Sequence, residues 1–158
     1  NNFFSEQSFS VNAPMLCNLE VEIKINYHGT HELEQVTYGN WIDLYLAKDY
    51  DLTAGEFKLL SLGISMELPK GFEANIVPRS STFKNYGIIQ TNSVGIIDES
   101  YCGEEDIWRM PVFATRDTTI EANARIAQFR VVNKTSIKLE EVDHMEDKSR
   151  GGFGSTGK

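Results

Sequence analysis

Short alternating runs, each closed within a few residues by a turn signal, confine this chain to a β-sheet fold. Leu19 to Tyr27 (LEVEIKINY) sets Leu19, Val21, Ile23 and Ile25 on one side and Glu20, Glu22 and Lys24 on the other. Successive side chains of a strand point to opposite faces, so this period of two buries one face and wets the other. Trp41 to Ala47 (WIDLYLA) reads as another strand, and Glu56 to Leu68 as a long strand or a bent pair with its bend at Gly63. Pro69-Lys70-Gly71 is a turn signal, with proline presetting one torsion and glycine free to take a positive φ. FEANIVP, YGIIQT, SVGIID, IWRMPVFA, ARIAQFRVV and SIKLEEV follow in order. About nine such runs at this spacing predict an all-β sandwich or barrel. Helix is expected only over Ser80 to Asn85 and in the His31 to Tyr38 region, both short.

The chain has 158 residues, of which 41% are hydrophobic and 24% charged. One domain with tails fits that length, with a core large enough to need no disulfide staple. The net charge of -8 argues against nucleic acid, which selects a basic stripe, and no polybasic segment invites a membrane surface. No apolar run reaches the roughly 18 residues of a membrane span. Cys17 and Cys102 have neither zinc-site spacing nor the density of a secreted scaffold, so two reduced thiols and a cytoplasmic location are expected. Residues 1–14 are polar and lack the charged start and apolar middle of a signal peptide; they read as a leader that need not be native. Residues 15–143 carry the β-domain, and 144–158 form a charged, then glycine-rich arm.

Four stretches carry candidate chemistry. In Val77 to Thr82 (VPRSST), Arg79 and the hydroxyls of Ser80 and Ser81 suit a phosphate, although a serine helix cap beside a surface arginine would leave the same string. In Thr91 to Glu104 (TNSVGIIDESYCGE), Asp98 ends an apolar run and Tyr101 follows it. A carboxylate there can take a proton from water, or it can simply open a turn. In Ala124 to Val132, Gln128 lies among core residues and must satisfy main-chain groups or face a ligand. Arg125 suits a structural ion pair. In the arm, Arg150, Phe153, Ser155 and Thr156 stand among glycines, either as a mobile tail or as a lid for an anionic ligand.

In this order, with WIDLYLA ahead of them, these stretches resemble the signature motifs of the trimeric dUTPase family, in the form found in bacilli and their phages. The resemblance runs from about residue 19 to 157. It implies a jelly-roll-like β-barrel or sandwich with one short helix, assembled as a homotrimer with active sites shared between subunits. The implied reaction is Mg²⁺-assisted hydrolysis of dUTP to dUMP and pyrophosphate, which keeps uracil out of DNA and supplies dUMP for dTMP synthesis. Asp98 would be the general base for in-line attack of water on the α-phosphorus. Tyr101 would lie under the deoxyribose, and the main chain of Gly95 to Ile97, with Asn92 beside it, would read uracil. Arg79, Ser80, Ser81 and Gln128 would hold phosphates. Asp43 would hold waters of the Mg²⁺ ion. From the arm, Phe153 would stack on uracil, while Arg150, Ser155 and Thr156 would reach the γ-phosphate.

The chain departs from the family pattern in places. Ser81 stands where glycine is usual, and Asn123 lies where a glycine usually precedes the fourth motif. The arm is shortened between Arg150 and Gly152, and the stretch after Gly103 is longer than usual, which makes Trp108 an alternative lid to Phe153. Rival functions are a dCTP deaminase, which needs a glutamate on the strand Ile107 to Thr115, and a regulator of the same fold that binds a protein partner in a dUTP-dependent way. A capsid-like jelly-roll would leave the arm's Arg, Phe, Ser and Thr unexplained.

Overall fold

The computed structural model describes residues 20–35 and 40–154. Its elements are β1 (Lys24–Tyr27), β2 (Ile42–Tyr45), β3 (Tyr50–Leu52), β4 (Phe57–Ser61), β5 (Ile64–Glu67), β6 (Phe72–Pro78), α1 (Thr82–Tyr86), β7 (Ile88–Gln90), β8 (Gly95–Ile97), β9 (Arg109–Ala114), β10 (Thr118–Ile120) and β11 (Arg125–Asn133). All pairings among them are antiparallel and form the sheets β1–β5, β3–β10, β2–β11–β6–β8 and β4–β9–β7. A two-stranded ribbon is marginal by itself. Here the small sheets share one core, to which Leu44, Leu52, Leu60, Ile64, Ile76, Ile88, Val112, Ile120 and Ile126 all contribute. Among the described residues, the expected all-β architecture with one short helix is what the chain adopts.

Three turn positions explain why this sequence bends where it does. Gly63 has φ +66, and a Cβ there would stand 2.7 Å from Thr30 Cβ and 2.9 Å from Ala47 Cβ. Glycine is therefore required both for the torsion and for the space, and it separates β4 from β5 as the sequence predicts. Gly87 ends α1 with φ +65 and donates its N–H to Phe83 O at 2.7 Å. Asn123 has φ +66, so it takes the left-handed conformation that a glycine would otherwise supply, which asparagine tolerates well.

Several expectations are corrected. SIKLEEV forms no strand: residues 136–142 have no regular structure, and Ile137 and Leu139 are 79% and 88% exposed. The alternation is present, but no described strand pairs with it. Residues 31–35 are not helical, and the rest of that predicted helix, 36–39, lies outside the described residues. Tertiary contacts hold this loop open: Leu33 N–H donates to the Tyr27 hydroxyl at 3.0 Å, and the His31 ring lies 4.5 Å from Tyr45. The first strand is confined to Lys24–Tyr27, although Ile23 and Ile25 do pack on the core.

Trp108 is not a lid. It is fully buried and meets Phe129 edge to face at 5.2 Å, a favourable aromatic geometry. The other tryptophan, Trp41, is only half-buried and carries the Arg130 guanidinium 4.9 Å above its ring.

Candidate active site

Register brings one group of predicted residues together. Gln128 of β11 lies opposite Asp43 of β2 on one side and Val77 of β6 on the other. Arg79 follows β6 directly, and its Nε donates to Asp43 Oδ1 at 3.1 Å. Arg125 approaches the other oxygen of Asp43 at 3.7 Å, the ion pair expected of it. Asp43 thus orients Arg79. Gln128 Nε2 donates to Pro78 O at 3.2 Å, which leaves a second amide hydrogen for another acceptor.

The serines beside Arg79 are available. Thr82 is the buried anchor of this turn: its hydroxyl accepts from Arg79 N–H at 3.0 Å and donates to Ile126 O at 2.9 Å. Ser81 makes no side-chain cap bond, so the plain helix-cap explanation of this serine fails. Its φ of -92° lies in ordinary right-handed space, which explains how a serine replaces the usual glycine without backbone strain. Thr82, which holds the turn, lay within the motif but carried no signal of its importance, because its value comes from a contact 44 residues away.

The second group lies along β8. Among the described residues this strand is the edge of its sheet and pairs only with β6, Gly95 opposite Ile76 and Ile97 opposite Ala74. An edge strand presents main-chain N–H and C=O groups on its free side, which is what recognition of a base edge by main chain requires. Gly95 is buried, and a Cβ there would lie 3.3 Å from Ile76 Cβ and 3.7 Å from Asn92 Nδ2. Asn92 therefore does stand beside Gly95.

Asp98 follows β8 and opens a turn, with its Oδ1 accepting Ser100 N–H at 2.9 Å and its carbonyl accepting Tyr101 N–H at 3.0 Å. Its Oδ2 lies 3.1 Å from Lys134 Nζ, which also reaches Glu99 at 3.3 Å. These contacts hold the Asp98 carboxyl down at about 2, the Ser100 main-chain N–H contributing most, then the Ser100 hydroxyl and Lys134. Glu99 is lowered chiefly by the Gly71 N–H, and Lys134 is raised by its two carboxylates, Asp98 first. Asp98 is half-exposed and fully ionised at neutral pH. The Tyr101 hydroxyl donates to Ile107 O at 3.0 Å, which fixes the ring by its tip and leaves it 38% exposed.

The two groups sit at opposite ends of β6. Asp98 lies just beyond the Ala74 level and Arg79 just beyond Pro78, a separation of roughly 20 Å at the rise of a strand. Arg150 and Phe153 are exposed, and Ser155 and Thr156 lie outside the described residues. Among the described residues no group of three or more His, Cys, Asp or Glu is placed to hold a metal ion, and no helix is long and apolar enough to cross a membrane.

The dUTPase family model matches residues 41–157. The chain belongs to the dUTPase family. It is 50% identical over 140 residues to the SPbeta prophage-derived deoxyuridine 5'-triphosphate nucleotidohydrolase of Bacillus subtilis, covering 87% of this chain and 99% of that one. It is 38% identical over 118 residues to a deoxyuridine 5'-triphosphate nucleotidohydrolase of Clostridium acetobutylicum, covering 73% and 81%. Among solved structures, a Staphylococcus bacteriophage 80alpha dUTPase superposes with a TM-score of 0.72 at 17% identity, covering 86% of this chain and 98% of the other. The dUTPase of Streptococcus mutans gives 0.65 at 22%, covering 73% and 98%. These structural likenesses show the fold.

Proposed function

We propose that this dUTPase cleaves dUTP to dUMP and pyrophosphate at a site built from the two ends of β6 in different copies of the chain. The observation that carries the reading is the ionised carboxylate of Asp98 at the end of an edge strand whose main chain is free to read a base. Water positioned beside Asp98 gives up its proton to the carboxylate as its oxygen attacks the α-phosphorus in line, and pyrophosphate leaves opposite. Tyr101, pinned by its hydroxyl, offers its ring to the deoxyribose and leaves no room for a 2′-hydroxyl. Asn92 and the main chain of Gly95 and Ile97 take the uracil edge.

Arg79, Ser80, Ser81 and Gln128 take the phosphates from a neighbouring copy, in a homotrimer, because within one chain they are too far from Asp98 to share a substrate with it. Arg150, Ser155 and Thr156 of the arm complete the phosphate contacts, and Phe153 covers the uracil. Residues 144–158 thereby act as the closing arm of the domain formed by 15–143. Mg²⁺ binds mainly through phosphate oxygens and retained waters, and the triphosphate supplies such oxygens. Asp43 would hold those waters, and the ion would offset the phosphate charge as pyrophosphate departs. Such offset is needed in a chain of net charge -8. The reaction belongs to the cytoplasmic nucleotide pool.

Pyrophosphate release from dUTP, dTTP, UTP and dCTP, with Mg²⁺ and with chelator, tests the reading. Fast release from dUTP alone, abolished by chelator, is expected; equal release from all four would refute base and sugar selection. dCTP will release no ammonia. β9 holds no glutamate, and of the acids before it Glu104 accepts from the Asn26 amide and Asp106 from Gly103 N–H. Tyr101→Ala will admit UTP, raising its kcat/KM relative to dUTP by about tenfold or more. Unchanged rejection of UTP would place the sugar check elsewhere. Truncation after His144 will lower kcat/KM while leaving thermal unfolding unchanged, because Met145 and Phe153 are exposed. A lowered melting temperature would make the arm structural.

A second reading is a regulator that binds a protein partner in a dUTP-dependent way. Structures of the 80alpha phage dUTPase that resemble this fold are described as controlling transfer of virulence genes by a G protein-like mechanism. Pull-down from host lysate with and without dUTP distinguishes a nucleotide-gated partner from none.

A further inference from the structure

Lys134 belongs to none of the motifs and is the first residue beyond β11. Its Nζ bridges Asp98 Oδ2 at 3.1 Å and Glu99 Oε1 at 3.3 Å. Glu99 is itself anchored, since its other oxygen accepts the Gly71 N–H. The main chain closes the ring, Lys134 N–H donating to Gly71 O at 2.8 Å. The turn before β6, the turn after β8 and the end of β11 are thus tied together through one ammonium group.

We propose that Lys134 is a positioning residue for hydrolysis, holding the Asp98 carboxylate in one orientation and keeping it ionised when the triphosphate arrives. The inference rests on the reading of Asp98 as the base. Asp98 has one oxygen on Ser100 N–H and the other on Lys134, so rotation of the carboxylate would break both contacts. A carboxylate has about four acceptor sites, so with the Ser100 N–H, the Ser100 hydroxyl and Lys134 bound one is left to meet water. An isolated surface ion pair orders little. This lysine is only 34% exposed, serves two carboxylates and is fixed at its own main chain.

The substrate brings close to four negative charges, and nearby like charge favours protonation of a carboxylate. The charged groups facing Asp98 are Glu99 from its own turn, which adds to that repulsion, and Lys134 from the end of β11, which opposes it. Lys134 therefore counters the tendency of the bound substrate to switch its own base off.

The test is kcat and KM for dUTP with Mg²⁺ from about pH 3 to 9, a range that reaches the acid limb set by the lowered Asp98 carboxyl, using the full chain, Lys134→Met, Lys134→Arg and Asp98→Asn. Lys134→Met is expected to lose about tenfold in kcat near neutrality, since small misplacements of a reacting group are costly. Its KM should change little. The acid limb of its kcat profile should move upward by about one pH unit or more. Lys134→Arg should recover most of both, because a guanidinium can also bridge two carboxylates.

Wild-type kcat and pH profile in Lys134→Met would overturn the proposal. So would equal loss in Met and Arg variants with the acid limb unmoved, which is the mark of a structural role. Should Lys134→Met not fold, Lys134→Gln is read by the same criteria. Asp98→Asn separates the two levels: turnover retained there removes the base reading itself, whatever Lys134 does.

Discussion

Asp98→Asn will bind dUTP as the unaltered enzyme does and lose turnover by about 10² to 10⁴-fold, the usual worth of a general base. Asparagine matches the shape of the carboxylate and can still accept the Ser100 N–H bond that Asp98 makes. It cannot take a proton from water. Equilibrium binding of dUTP and single-turnover release of pyrophosphate, measured on the same preparation, check both halves. Full turnover in the variant would remove Asp98 from the chemistry. Loss of binding together with turnover would mean that the turn from Asp98 to Tyr101, not the base, had been damaged.

The second large effect is a gain. Asp98→Asn and Arg79→Ala chains, each nearly inactive alone, will recover activity when mixed through unfolding and refolding. With Asp98 and Arg79 roughly 20 Å apart along β6, the proposed homotrimer would draw one from each of two copies at every site. In randomly mixed trimers about a quarter of the sites then combine an intact Asp98 with an intact Arg79. Activity approaching that fraction of wild type, measured as pyrophosphate release, is the expected result. No recovery, with mixed assemblies demonstrated by tagged copies, would mean that both residues serve a site within one chain and that the described fold rearranges on binding substrate.

Much of the fold could be read before any coordinates because the strands are amphipathic in a simple way. β11 and β6 are long enough for periodicity to show, and Gly63 marks its bend because no other residue fits there. β3 and β10 escaped notice. Each has only three residues, too few for alternation to stand out, and they exist because they pair with each other across a long sequence gap. SIKLEEV failed in the opposite way: the pattern is strong, but a strand is defined by its partner, and pattern alone does not provide one. Trp108 illustrates a third limit. Its place in the long stretch after Gly103 suggested an alternative lid, whereas its main chain is held by bonds to Leu62 and Ile64, which carry it into the core.

The site followed the same rule. Motif order picked out the candidate residues, and the structure sets Asn92 beside Gly95. What the order of residues did not disclose is how they are held. Asp43 faces Arg79 and Arg125 because register sets β2 against β11, and Lys134 reaches Asp98 because β11 and β8 flank the same end of β6. Such contacts join residues far apart in sequence, and no local motif records them.

The environments of the two tryptophans give the molecule a built-in optical reporter. Trp108, sealed against Phe129, will emit at short wavelength and stay dark to quenchers while the core is intact. Trp41, half-exposed beneath Arg130, will emit to the red and yield to iodide. Selective excitation of both therefore separates loss of the core from events at the surface in one spectrum. Every variant described above can then be checked for intact packing without a label and in the same cuvette as its kinetics.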